Sequence, residues 1–155
     1  MEFGYNSEIF IFTEIKKILM NKIEHIGIAV KNIDDSNELF SKLFGKPQYK
    51  TEAVESEGVK TSFFKVGNNK IELLEATNED SPIAKFLNRK GEGVHHIAFD
   101  VDDIEVEVKR LKKEGFIVLN DIPKKGADNK LVVFLHPKTT NGVLIELCQE
   151  IILNE

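Results

Sequence analysis

His25-Ile-Gly-Ile-Ala-Val30 is answered, 71 residues on, by His96-Ile-Ala-Phe-Asp-Val101. Each copy runs into an acidic turn and then an amphipathic segment. Each closes with a second echo, Lys70-Ile-Glu-Leu-Leu74 in the first half and Leu144-Ile-Glu-Leu-Cys148 in the second. The two blocks keep one register until a single residue is dropped before the closing glycine, Gly45 in one copy and Gly115 in the other. A match this long points to an internal duplication.

Read outward from that pair, the first half predicts a strand over 22–30, a helix over 34–44 and strands near 49–54, 60–66 and 70–75. Asp34 or Asp35 is the expected helix cap, Leu39, Phe40, Leu43 and Phe44 fall at helical spacing, and Gly45 ends the helix. The second half predicts a strand over 94–101, a helix over 104–114 and strands near 117–120, 131–135 and 143–149. Asp102 or Asp103 starts that helix, and Ile104, Val108 and Leu111 form its apolar stripe. Ser81 followed by Pro82 opens a linker helix over about 81–90, which stops before Gly91. Asn68-Asn69 reads as a hairpin turn, and residues 125–130 as a polar loop. The expected architecture is α+β: two βαβββ repeats, about 22–76 and 93–149, within one domain over 20–155.

In a strand the side chains alternate faces. His25, Gly27 and Ala29 therefore share one face, and His96, Ala98 and Asp100 share another, with His95 pointing away from His96. Small residues beside each histidine suit a crowded, concave interior. Glu72 and Glu146 each stand inside an apolar Ile-Glu-Leu strand, where a lone carboxylate is costly unless paired, protonated or bound to a metal. One histidine and one glutamate per repeat make a four-ligand set: His25, Glu72, His96 and Glu146. Two imidazoles and two carboxylates accept cobalt, zinc, nickel, manganese or iron(II). The oxygen-rich set without a cysteine argues against a closed structural zinc site and leaves positions for a chelating substrate.

The 155 residues, 41% hydrophobic and 30% charged, fit a single folded unit. A net charge of −5, with no cluster of basic and aromatic residues, argues against a nucleic-acid partner. An anionic ligand would need local positive charge, for which Lys60, Lys124, Lys125, Lys130 and Lys138 are candidates. The one cysteine, Cys148, excludes an internal disulfide, fits a reducing compartment such as the cytoplasm, and reads as a buried, inert thiol. No apolar run approaches the roughly 18 residues that cross a bilayer, so no membrane partner is expected. Residues 1–19 include Ile9-Phe-Ile-Phe12 but also Glu2, Glu8 and Glu14, and lack a basic leader region. They read as an extension outside the core, with Met20 as the expected natural start and a packed extra helix as the alternative.

Over about residues 22–149 the chain resembles the vicinal oxygen chelate superfamily and, within it, the methylmalonyl-CoA epimerase family. The resemblance is carried by His25-Ile-Gly-Ile-Ala-Val30, Ile71-Glu-Leu-Leu-Glu75, Asp80-Ser-Pro-Ile83, Gly93-Val-His-His-Ile97, Phe134-Leu-His-Pro-Lys138 and Gly142-Val-Leu-Ile-Glu146. It implies an open barrel, a divalent metal on His25, Glu72, His96 and Glu146, and an acyl-CoA substrate. It also implies an isomerase that removes and returns the α-proton of methylmalonyl-CoA. Some family members carry a glutamine where Glu72 stands and a catalytic glutamate where Thr61 stands, so the base is not transferable by position. Glu72 and Glu146, one from each repeat, are the expected acid–base pair, with Glu57 as a substitute acid. Lys138 and His136 read as an exposed turn lysine and a structural histidine. A glyoxalase I-like lyase acting on a glutathione hemithioacetal, an extradiol-type dioxygenase and a metal-free small-molecule binding or resistance protein are the rival readings. A homodimer is a further expectation, because an open half-barrel leaves sheet edges to cover.

Overall fold

The computed structural model describes residues 20–152. The expected N-terminal extension over 1–19 lies outside them. Within them the duplication becomes a palindromic sheet. Strands β1 (Lys22–Ala29), β2 (Lys50–Val54), β3 (Val59–Val66) and β4 (Asn69–Ala76) form the first repeat. Strands β5 (Gly93–Asp100), β6 (Lys124–Lys125), β7 (Lys130–Leu135) and β8 (Ile145–Glu150) form the second. Their order is β2-β3-β4-β1-β5-β8-β7-β6. In each repeat the histidine strand lies parallel to the glutamate strand, β1 on β4 and β5 on β8. The two histidine strands then pair antiparallel at the centre. This pairing brings the ligand-bearing strands of both repeats side by side.

The first and third helices cover the outer face of the sheet. Helix α1 (Ile33–Phe44) sets Ile33, with Phe40 and Phe44, against Val30, Phe64 and Leu73 of its own repeat. Helix α3 (Ile104–Lys113) sets Ile104, Val108 and Leu111 against Val133, Leu135 and Leu147. Phe64 and Leu147 are fully buried; each such side chain contributes about 1.5–3 kcal/mol of transfer free energy. Helix α2 (Pro82–Lys90) links the repeats and packs its Ile83 against Ala29, Val59 and Leu74, on the face that carries His25 and Glu72. The Ser81 hydroxyl accepts the Ile83 N–H at 3.1 Å, and Pro82 occupies the first helical position.

Four sequence expectations shift. The cap of α1 is Asn32, whose Oδ1 accepts the N–H groups of Asp34 and Asp35, each at 3.0 Å. The two aspartates instead fill the first turn, where the helix dipole favours them. Leu39 and Leu43 are 63% and 69% exposed, because neighbouring helical positions diverge by about 100° and Phe40 and Phe44 take the core-facing side. The β3–β4 turn is Gly67-Asn68, since Gly67 adopts φ +61° and Asn69 already pairs with Val66. The strand expected near 117–120 is reduced to one bridge, Val118 to Leu135. There the Asn120 side chain takes over part of the ladder: Oδ1 accepts the Phe134 N–H at 3.1 Å, and Nδ2 donates to the Val132 and Ile122 carbonyls. The edge strand forms later, at Lys124–Lys125.

Candidate metal centre and substrate cavity

The central β1–β5 pair is interrupted twice, once in each repeat. Ile23 pairs with Phe99 and His25 with Ala98, which leaves Glu24 as the extra residue of a bulge. Gly27 pairs with His96 and Ile28 with Val94, which leaves His95 as the extra residue of a second bulge. Both bulges sit directly before a ligand histidine, and each turns its extra residue toward that histidine. His95 therefore does not point away from His96 as strand alternation predicts. Its Nδ1 lies 3.0 Å from Nδ1 of His96. In the first repeat Glu24 Oε2 lies 2.5 Å from Nδ1 of His25.

With the Nδ1 sides held, the Nε2 sides of the two imidazoles face each other at 2.9 Å. Glu72 Oε2 stands 3.2 Å from His25 Nε2 and 3.4 Å from His96 Nε2. From the other repeat, Glu146 brings Oε1 to 3.8 Å from His25 Nε2 and Oε2 to 3.3 Å from His96 Nε2. All four side chains are buried. Donor atoms around one ion, with bonds of about 2.1 Å at right angles, lie about 3 Å apart. The spacing and the N₂O₂ donor chemistry both fit a divalent cation. Gly27 makes the arrangement sterically feasible, since a Cβ there would lie 2.5 Å from Nδ1 of His96.

The electrostatics follow from burying three carboxylates beside two imidazoles. Burial opposes charge on Glu72, yet the adjacent imidazoles of His25 and His96 hold its carboxyl down at about 2. Burial pushes Glu146 up, against the pull of both histidines and with Glu72 and Glu24 adding repulsion. Burial also opposes charge on His25, but Glu72, Glu24 and Glu146 raise it well above the ordinary imidazole range. Burial and the neighbouring His96 lower His95 to about 4, so at neutral pH it is an uncharged hydrogen-bond partner. Burial likewise raises the Cys148 thiol, as expected for an inert buried cysteine.

The donor cluster lies in a cavity of about 290 Å³ that draws its walls from both repeats. Val54, Phe63, Leu74, Ile83, Val132 and Phe134 supply apolar surface, and Thr61 stands on the wall as well. Of the candidate lysines, Lys124 and Lys130 line this cavity and Lys60, Lys125 and Lys138 do not. Lys60 lies 3.8 Å from Asp34, and Lys138 is exposed. Glu57 reaches the cavity wall but is held by Lys124 at 2.5 Å across the gap between repeats. His136 accepts the Lys138 N–H at 3.0 Å on Nδ1 and caps the short 3-10 helix Pro137–Thr139, a structural position.

The sequence profile of the Glyoxalase/Bleomycin resistance protein/Dioxygenase superfamily matches residues 24–134. The methylmalonyl-CoA epimerase of Dictyostelium discoideum, a mitochondrial protein, is 42% identical over 134 residues, 86% of this chain and 81% of that one. The chain belongs to the methylmalonyl-CoA epimerase family of this superfamily. An ethylmalonyl-CoA/methylmalonyl-CoA epimerase of Cereibacter sphaeroides is 38% identical over 133 residues, 84% of this chain and 99% of that protein. Among solved structures, a methylmalonyl-CoA epimerase in complex with methylmalonyl-CoA and NH4+ superposes with a TM-score of 0.83 at 36% identity. That match covers 88% of this chain and 99% of the solved one. Family membership and the palindromic sheet agree with the βαβββ duplication read from the sequence.

Sequence reasoning missed Glu24, Lys70 and Asp128, which stand behind the ligands. The repeat itself held a signal for the first: Glu24 and His95 are equivalent positions, each one residue before a ligand histidine. Among the described residues no helix is long and apolar enough to cross a membrane.

Proposed function

We infer that this protein interconverts the two epimers of methylmalonyl-CoA at the α-carbon. The observation that carries the reading is the meeting of the His25 and His96 Nε2 atoms, 2.9 Å apart, with Glu72 and Glu146 each next to both of them, inside a largely apolar cavity in a chain of the epimerase family. The α-proton of this substrate is flanked by a thioester and a carboxylate, and its removal leaves negative charge on the acyl oxygens. A divalent ion held by the four residues would supply a Lewis acid for those oxygens; cobalt, zinc, nickel and manganese all suit the donor set.

Epimerisation needs a proton removed on one face and returned on the other. Glu72 and Glu146 come from equivalent strands of opposite repeats, so they flank the cavity floor from two sides. We assign them the paired roles of general base and general acid, exchanged with the direction of reaction. The apolar walls would limit water at the carbanionic carbon, and Lys124, which lines the cavity and pairs with Glu57, would meet an anionic group of the CoA ester by exchanging that partner. A cytoplasmic location and a homodimer complete the reading; the first is supported by the single buried thiol, the second by β2 and β6 standing at the two ends of the sheet.

Proton NMR of methylmalonyl-CoA in deuterated water tests the assignment. Metallated protein should remove the α-proton signal rapidly, and a chelator should stop it. Persistence of the signal with folded, metallated protein defeats the epimerase reading, and thioester formation from methylglyoxal and glutathione would then favour the lyase.

A further inference from the structure

On the Nδ1 side of His25 lies a charged assembly that the chemistry above does not use. Glu24 is 2% exposed and anchored in two directions. One oxygen meets His25, and the other accepts Lys70 Nζ, with Lys130 Nζ 3.7 Å away. Lys70 sits in β4, in register with His25 of β1. It also donates to Asp128 Oδ2 at 2.8 Å. Asp128 belongs to the other repeat. It stands in the β6–β7 turn with φ +53°, beside Asn129 at +59°. There it accepts Lys50 Nζ at 3.2 Å and the Tyr49 hydroxyl at 3.0 Å, while its own N–H donates to Glu52 Oε2 at 2.9 Å. The same turn forms part of the cavity wall through Gly126, Ala127 and Asp128.

We propose that Lys70 and Asp128 are positioning residues for the metal centre: the cavity-wall turn fixes Lys70, Lys70 fixes Glu24, and Glu24 sets the orientation of His25. The inference rests on the metal-centre reading. An imidazole bound at Nε2 keeps its direction only if Nδ1 is held, and a carboxylate holds it best when it cannot itself rotate. Lys70 and Asp128 deny Glu24 that rotation.

Simple Coulomb effects predict a different outcome from positioning, which makes the inference testable. Lys70 is a cation close to a cation site, so removing its charge should tighten metal binding if only charge mattered. The relay predicts that binding weakens. The test measures cobalt(II) affinity of the full chain by competition with a chromophoric chelator, together with the visible absorption of the bound cobalt. Lys70→Met and Asp128→Asn should each weaken binding by about tenfold and alter the cobalt spectrum. Glu38→Gln removes an exposed carboxylate that pairs with Lys42 on the outer side of α1, away from the relay, and should stay within about twofold of wild type. Lys70→Arg, which keeps the donors, should restore most of the affinity. Unchanged or tighter binding in Lys70→Met, with a wild-type spectrum, overturns the relay while leaving the metal centre intact. Absence of cobalt binding by the wild type overturns both. If Lys70→Met does not fold, Asp128→Asn decides through the cobalt spectrum, because losing an anion weakens binding by charge alone: a wild-type spectrum overturns the relay.

Discussion

Gly27 of the first repeat and His96 of the second are cross-strand partners, and the missing side chain of one is the space occupied by the ring of the other. A Cβ on Gly27 would lie 2.5 Å from Nδ1 and 2.7 Å from Nε2 of His96. The first repeat therefore must leave room for the ligand histidine of the second. Gly27→Ala should displace the His96 ring and weaken metal binding by at least tenfold. Metal titration monitored by cobalt absorption reads this, and wild-type affinity in a folded Gly27→Ala protein would refute the steric argument.

The two glutamates should be separable from the histidines by what they do beyond ligation. Glu72→Gln and Glu146→Gln keep a ligand oxygen but lose the basic carboxylate. Each should lower α-proton exchange by about 10²-fold or more, the scale of a lost general acid or base. Exchange rates measured at saturating metal separate this from weaker metal binding.

The cross-repeat anchor has its own pH signature. Burial raises the Asp128 carboxyl, but bonds from Lys70, Lys50 and Tyr49 outweigh it and hold the group below its ordinary value of 3.8. A carboxyl depressed in the folded state stabilises the fold above the unfolded value and loses that contribution as pH falls through the folded one. Wild type should therefore exceed Asp128→Asn in stability at pH 7, with the gap closing as pH drops below about 4. Urea unfolding at several pH values measures it, and a gap constant down to pH 2 would contradict the ion-pair account.

Removing metal should cost stability as well as activity. A cation that binds the folded site alone stabilises it by about 2.7 kcal/mol at a hundredfold excess over its dissociation constant. Thermal melting with and without chelator should show a clear downward shift, absent in His25→Ala.

Most of the architecture was legible because it is written twice. His25 and His96, Glu72 and Glu146 stand at matching places, and the fold brings them together through the antiparallel β1–β5 pair. What was not legible depended on departures from regular structure. Strand alternation places His95 opposite His96, but two bulges break that alternation. Asn120 looks like the end of a strand, yet its side chain replaces part of the ladder. Asp128 is unremarkable in sequence, being a turn residue 58 positions from Lys70. Its role arises only when the second repeat folds over the first.

The central claim is that His25, Glu72, His96 and Glu146 hold a single divalent ion inside the cavity. Anomalous diffraction at the cobalt edge, from crystals grown with cobalt, tests it most directly. The account predicts one strong peak about 2.1 Å from Nε2 of both histidines and from an oxygen of each glutamate. Glu24, His25 and Cys148 also gather donor atoms within 4.8 Å of one another, on the far side of the His25 ring. A peak there, or none within the cavity, would contradict the account.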